Sequence, residues 1–258
     1  MIDYLLADSV AEIVLNDPGK LNALDEAALG ALSGAFTRAA EEGARAVILR
    51  GEGRAFCAGR DISQVDPATD DATAYLSDVV TPLLRQIDAF PAPTFAIATG
   101  ACLGVGLGLL IASDVVYVAD TARIGSPFAN LGATLDSGGH ALFFERLGAH
   151  RALDLIYTAE LMTGAEAVAA GLFSRVVSEA EILDFTRQRA RRVAKGATEA
   201  YLASKRLIHR LRDEPVGLWE SVDDENVAQG ELCATPDYHE GFAAFREKRT
   251  PVFGAGRA

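Results

Sequence analysis

The 258-residue chain carries 24 Lys and Arg against 36 Asp and Glu, a formal net charge of −12, and half of it is hydrophobic. Such a length allows one large domain or a domain with an appendage, burying roughly three quarters of the unfolded-chain surface. The acidity argues against nucleic acid, whose phosphates need clustered Lys and Arg. Cys57, Cys102 and Cys233 show no C-x-x-C pair and no metal-ligand spacing, so reduced thiols in a cytoplasmic protein are expected. Residues 1–8 have neither a basic region nor a long apolar run, and no signal peptide is read there.

Strands open the chain near Ile2–Leu6 and Ala11–Leu15. A helix follows over Glu26–Glu41, where Ala28, Leu29, Leu32, Ala35, Phe36 and Ala39 keep helical spacing. The strand-like run Ala46–Leu49 leads into a glycine-bearing segment, Ala55-Phe56-Cys57-Ala58-Gly59-Arg60-Asp61-Ile62. The polar stretch Asp66–Asp71 reads as a mobile loop that covers substrate. A long helix is predicted over Ala72–Ala89, stopped by Pro91-Ala92-Pro93. A strand, Thr94–Ala98, precedes the second glycine segment, Gly100-Ala101-Cys102-Leu103-Gly104-Val105-Gly106-Leu107-Gly108.

The uncharged run Phe95–Ser113, with its G-x-x-x-G spacings, has the length of a membrane helix. Gly100-Ala101-Cys102 interrupts it and no Lys or Arg flanks it closely, so a buried strand, turn and helix are predicted instead. A strand over Asp114–Val118 comes next. Leu135-Asp136-Ser137-Gly138-Gly139 then opens a short helix ending at Gly148, followed by a helix over Ala149–Thr158. A strand at Arg175–Val177 and amphipathic helices within Glu181–Arg212 and Leu218–Cys233 complete the chain. Their apolar faces suit either the chain's own core or a neighbour. The class is α/β, without internal repeats.

Two turns after two strands can aim two backbone N–H groups at one point, as a developing oxyanion requires. Glycine lets a ligand approach the backbone there. Acyl transfer or enolate chemistry is therefore the first candidate. Asp136 has two readings. It, or Ser137, is the N-cap of the following helix, worth about 1 kcal/mol; or Asp136 is a base, its pKa raised by apolar walls from Phe128, Leu131 and Leu135 against the pull of the helix dipole. Gly104–Gly108 does not make a dinucleotide fingerprint, because the third glycine of G-x-G-x-x-G would fall at Leu109. Ser126, Ser137 and His140 lack an activated-serine turn, and His140 reads as a helix or core residue.

Four segments, in order, resemble the crotonase (enoyl-CoA hydratase/isomerase) superfamily almost end to end. They are Leu15–Leu24, Ala55–Ile62, Thr99–Asp114, and Asp237-Tyr238-His239-Glu240-Gly241 through Phe245-Arg246-Glu247-Lys248-Arg249. The resemblance implies a spiral of repeated ββα units with the CoA site over residues 1–195, and a helical oligomerisation region over 196–258. It implies an acyl-CoA thioester substrate and a homotrimer or dimer of trimers. No cofactor is expected beyond the CoA of the substrate, and no nucleic-acid or membrane partner. The backbone N–H groups of Arg60 and Val105 take the oxyanion positions. Lys20, Ala58, Asp61, Ile62 and Lys248 take CoA-binding positions, with Asp61 more a loop support than a chemical group. Arg54 and Arg60 are further cations to offset the CoA phosphates. Phe128 and Leu135 line the acyl pocket, with Phe143 and Phe144 as additional aromatic candidates.

The departures from the family pattern narrow the chemistry. The two glutamates that hold water in the hydratases fall on Gly108 and Phe128, neither of which can move a proton. Asp136 matches an aspartate of dienoyl-CoA isomerases and of ring-epoxide isomerases of phenylacetyl-CoA catabolism. The run Leu-Asp-Ser-Gly-Gly is most similar to the last, the 1,2-epoxyphenylacetyl-CoA isomerase group. The expectation is an isomerase with Asp136 as acid/base. Three alternatives stay open: a hydratase using Asp136 and another partner, an Asp136 nucleophile as in aryl-CoA dehalogenases, and a silent acyl-CoA-binding subunit.

Overall fold

The computed structural model describes residues 2–63 and 65–254. Strands β1 (Ile2–Ala7) and β2 (Val10–Leu15) form an antiparallel hairpin. Asp8 and Ser9 both have positive φ, the conformation of a two-residue turn whose twist matches its strands. Helix α1 (Glu26–Glu41) starts where the Asp25 side chain accepts the Ala28 N–H at 2.8 Å. Strand β3 (Ala46–Gly51) follows. Helix α2 (Ala72–Ala74) continues through a π-helical segment, Tyr75–Val80, into α3 (Thr81–Asp88).

The long helix predicted over Ala72–Ala89 is thus present in extent but not in regularity. Pro82 has no N–H to give the Asp78 carbonyl, and just before it the Thr81 N–H reaches back to Leu76, an i to i−5 bond. The widened turn changes which residues face the core, and it begins at Tyr75.

The Phe95–Ser113 run resolves into β4 (Thr94–Ala98), β5 (Ala101–Leu103) and helix α4 (Val105–Ile111). Among the described residues no helix is long and apolar enough to cross a membrane. Strands β6 (Val115–Ala119) and β7 (Arg123–Gly125) precede a single 3-10 turn, Phe128–Leu131. Helix α5 (Gly139–Thr158) breaks at Gly148 (φ 74°, ψ 166°), giving the two predicted helices end to end. Next come β8 (Met162–Thr163), α6 (Gly164–Ala169), β9 (Arg175–Val177) and α7 (Ile182–Ala194). Helices α8 (Thr198–Asp213), α9 (Leu218–Leu232) and α10 (Pro236–Glu247) form the C-terminal region.

The main sheet has the order β1-β2-β3-β4-β6-β9, parallel except for the opening hairpin. A parallel sheet needs both faces covered, and strand alternation supplies two apolar sides. Ile13, Val47, Leu49, Ala96 and Val118 belong to the larger core with Leu29, Leu32 and Phe36 of α1. Ile48, Phe95, Ile97 and Tyr117 share the smaller core with Ile182, Ala190 and Ala194 of α7. A second sheet, β5-β7-β8, escapes sequence reading because its strands are two or three residues long.

One charged cluster ties α7 to the sheet. Glu12 is buried on β2 and accepts from Arg50 Nε at 2.7 Å and from Arg187 Nε and Nη2 at 2.9 and 2.8 Å. Burial pulls its pKa up, but the hydrogen bonds from Arg187 and Arg50 outweigh it and hold the carboxyl below the ordinary range. Glu12→Ala leaves Arg187 without its acceptor and Arg50 with only Glu52 and the Gly51 carbonyl. We expect a loss of about 3 kcal/mol in denaturant unfolding, the low end for a broken buried pair because both arginines keep some contact with water. A loss within experimental error would remove this cluster from the forces that hold α7.

Candidate active site

Three stretches of chain meet around the first glycine segment. Asn22 is buried and donates to the carbonyls of Ala55 at 2.8 Å and Glu52 at 3.0 Å, while its Oδ1 accepts the Asp17 N–H at 2.8 Å. The backbone continues the join. Ala58 N–H donates to Leu21, Leu24 N–H to Gly59, and Asp61 N–H to Leu24. On the other side Phe56 and Cys57 N–H donate to Thr99 and Ala101, and Leu103 N–H donates to Cys57. The segment is therefore zipped along both edges before it reaches Gly59.

At that point the second glycine segment touches the first. A Cβ on Gly59 would lie 3.0 Å from the Leu103 carbonyl oxygen, and one on Gly104 would lie 3.8 Å from the Gly59 Cα. Gly104 adopts φ 52°, ψ −120°, open to glycine but strained for other residues, and its N–H is held by Ser126 Oγ at 3.0 Å. Arg60 and Val105 are the next residues on the two loops. Because Leu24 is bonded to Gly59 and Asp61, the Arg60 N–H points away from that neighbour. Val105 is the first residue of α4, where the helix offers its N–H no acceptor. Among the described residues neither N–H has an intramolecular acceptor.

Asp136 lies across from α4. Ser137 (φ 53°) and Gly138 (φ 91°) are both left-handed, so the chain turns sharply behind the aspartate. The N-cap of α5 is Gly138, with no side-chain capping bond, which excludes the capping reading for Asp136 and Ser137. Asp136 Oδ1 and Ser137 Oγ are instead buried without a hydrogen-bond partner. Burial raises the Asp136 pKa above the ordinary carboxylate range, opposed by the nearby Ser137 hydroxyl and the His140 ring. The turn also fills the space beside Gly108, where a Cβ would meet Ser137 Cβ at 2.5 Å. Backbone geometry thus excludes any longer side chain at position 108 while this turn stays in place.

The predicted lining divides. The Phe128 ring stands against Gly104, 2.9 Å from where a Cβ would sit, so it lies at the loop junction. Leu135 is buried and packs on Gly139. Leu131 and Phe144 are exposed and Phe143 belongs to the core, so these three do not join Phe128 at the junction. His140 is exposed rather than a core residue, 3.4 Å from Thr134 Oγ1.

The predicted CoA contacts also divide. Lys20 and Asp61 pair at 2.7 Å, and Asp61 also accepts the Ser63 N–H at 3.0 Å. Asp61 thus braces the loop, and the Lys20 hydrogen bond followed by the Ser63 contacts holds its pKa well below the usual range. Ala58 and Ile62 flank it, with Ile62 exposed. Lys248 is the exposed C-cap of α10, and among the described residues no hydrogen bond or ion pair connects it to these loops. Arg54 is exposed. Arg60 neither reaches into solvent nor stands free for a phosphate. It pairs with both oxygens of Asp70 at 3.0 and 2.8 Å, which ties the 66–71 stretch to the first loop.

Two residues escaped the sequence reading. Cys57 is a buried thiol whose Sγ accepts the Gly59 N–H at 3.4 Å, and burial pushes its pKa up to about 12. It braces the loop as an inert group. Tyr75 is 6% exposed, with the Arg60 guanidinium 3.9 Å from its ring centroid and no partner for its buried hydroxyl. Burial raises its pKa well above the phenol range, the Arg60 cation opposes the rise, and the Asp136 carboxylate adds to it. No local signal marks Tyr75, because the π turn that places it follows from Pro82 seven residues on.

Residues 6–256 match the enoyl-CoA hydratase/isomerase family, and the chain belongs to it. A protein of Rhodobacter capsulatus named "Probable enoyl-CoA hydratase" is 34% identical over 252 residues, covering 98% of this chain and 97% of its own. The 2,3-dehydroadipyl-CoA hydratase of Escherichia coli K12 is 32% identical over 242 residues, 93% of each chain. The crystal structure of enoyl-CoA hydratase from Bacillus anthracis superposes with a TM-score of 0.88 at 29% identity, over 98% of each chain. The α/β architecture is that of these crotonase relatives.

Asp136 offers a direct check on its environment. Its native pKa lies above its unfolded value, so the native state holds the proton to higher pH than the unfolded chain does. As pH rises from the ordinary carboxylate range through the native pKa, the folded protein loses stability relative to one without that charge. Asp136→Asn is therefore expected to be more stable than wild type at pH 7, with the difference closing as pH falls toward 4 in thermal unfolding scans. A difference that does not change with pH would mean that Asp136 is solvated like an ordinary surface carboxylate.

Proposed function

We propose that this protein is an acyl-CoA isomerase that moves a double bond or opens a ring epoxide in a CoA thioester. The Arg60 and Val105 N–H groups hold the thioester oxygen, and Asp136 carries the proton. Two free amides on touching loop tips suit an oxygen whose negative charge grows as the neighbouring carbon loses its proton. Removing one such donor typically costs about 3–4 kcal/mol of transition-state stabilisation. CoA enters as part of the substrate, and the chemistry asks for no other cofactor. Ala58, Asp61 and Ile62, with Lys20 and Lys248, remain the assigned CoA contacts, and Phe128 and Leu135 the acyl contacts.

The observation that carries this reading is the buried, unpartnered Asp136 Oδ1 on a turn that occupies the space beside Gly108. A single carboxylate can take a proton from one carbon and return it to another. Hydration needs one group to deprotonate water and another to protonate carbon. The relatives' names favour hydration, and that is the second reading: Asp136 would then work with a partner outside positions 108 and 128. The 1,2-epoxyphenylacetyl-CoA isomerase group remains the more specific assignment, supported by the Leu-Asp-Ser-Gly-Gly run and by Phe128 at the junction.

We further assign residues 196–258 to assembly into a homotrimer or dimer of trimers. Leu218, Trp219, Phe242 and Phe245 leave large apolar surfaces exposed on α9 and α10, which supports that assignment.

The test is turnover of 3-enoyl, 2-enoyl and ring-epoxide phenylacetyl thioesters by wild type and Asp136→Asn. Isomerisation in wild type, falling at least about 100-fold in a folded mutant, is the expected result for loss of an acid/base group. Hydration of the 2-enoyl thioester without isomerisation would favour the second reading. Binding without turnover in both proteins would leave a silent acyl-CoA-binding subunit.

A further inference from the structure

Beside the first loop lies a buried polar group that the proposed reaction does not use. The Tyr75 hydroxyl is buried and unpartnered, although phenols almost always find a partner when withdrawn from water. Its ring is fixed rather than loose. Arg60 covers one face at 3.9 Å, and Arg60 is itself clamped by Asp70. The Asp136 carboxylate lies close enough to perturb the phenol, and Asp136 Oδ1 and Ser137 Oγ are likewise buried without partners. The geometry that joins Tyr75 to the site is its ring against Arg60, the residue whose N–H is assigned to the thioester oxygen. A phenol is protonated at neutral pH, and burial raises its pKa further, so it stands ready to donate.

We propose that the Tyr75 hydroxyl contacts substrate, donating a hydrogen bond to an oxygen atom carried by the acyl group. The site then prefers thioesters whose acyl chain bears a hydroxyl, carbonyl or epoxide oxygen over their deoxygenated counterparts. The proposal rests on the reading of Arg60, Val105 and Asp136 as the acyl site. A hydrocarbon chain packed against this hydroxyl leaves a buried donor unsatisfied, whereas an oxygen relieves it. Sites built around a polar partner discriminate against the analogue that lacks it. The oxygen also anchors the far end of the acyl group while the two amides hold the thioester.

The experiment is calorimetric binding of two matched pairs, butanoyl-CoA with 3-hydroxybutanoyl-CoA and phenylacetyl-CoA with its ring-hydroxylated form. Wild type, Tyr75→Phe and Asp136→Asn are compared. Wild type is expected to bind the oxygenated member of at least one pair about ten-fold more tightly, the worth of one hydrogen bond. Tyr75→Phe should erase that preference, and Asp136→Asn, which leaves the phenol in place, should lose it only if the acyl oxygen is held by Asp136 instead, a loss that would overturn the proposal. Removing a partnerless hydroxyl should leave the melting temperature of Tyr75→Phe unchanged or raised. A preference absent from wild type, or surviving in Tyr75→Phe, overturns the proposal. So does a lowered melting temperature, which would show that the hydroxyl has a partner within the protein. Because the readout is binding, a protein that isomerises nothing but keeps the Tyr75-dependent preference would refute the isomerase reading alone.

Discussion

At Gly59 and Gly104 two loops meet backbone to backbone, with no side chain between them. Much of the site's geometry depends on that contact. It brings together the loops that carry Arg60 and Val105 as their next residues, and among the described residues neither N–H has an acceptor. The surrounding bonds make the contact rigid. Asn22, the Leu21–Leu24 backbone and β5 hold the first loop, and Ser126 holds the second. A preorganised pair of donors lowers a barrier because nothing need reorient as charge appears on the substrate. The parallel pairing of β3 and β4 supports this arrangement, since both loops leave the carboxyl ends of neighbouring strands at the same end of one sheet.

Around that contact the protein accepts unfavourable local chemistry. Asp136, Ser137 and Tyr75 keep buried polar atoms without partners, and Gly104 occupies a conformation that side-chain-bearing residues avoid. Each is a cost of folding that the two apolar cores offset. The buried Glu12 follows the opposite rule, with three hydrogen bonds from two arginines. Arg45, Arg189 and Thr198 also keep a buried polar atom without a partner, but the Asp136 and Ser137 pair sits on the turn that packs against α4, where a ligand would satisfy it.

Much of the fold was legible in the chain. Periodicity placed α1 at Glu26–Glu41, and the proline stop placed β4 at Thr94–Ala98. The glycine segments located the loop contact because a close backbone approach leaves room for little else. What stayed hidden depends on long-range geometry. The three-stranded sheet is too short to show alternation, and the π turn at Tyr75 arises from Pro82 rather than from local propensity. Arg60 is open in the sequence to a phosphate contact or to solvent, and neither reading contains its pairing with Asp70, ten residues away. The residues alone favour a helix cap at Asp136 and the family resemblance a base, and the N-cap at Gly138, without a side-chain bond, excludes the first.

The most direct measurement is a crystal structure of Asp136→Asn with an acyl-CoA bound, the substitution serving to hold the thioester unreacted. The thioester oxygen is expected at about 2.7–3.1 Å from both the Arg60 and Val105 nitrogens, with residue 136 facing the adjacent carbon. A thioester oxygen bonded to neither amide, or an acyl chain directed away from residue 136, would contradict this.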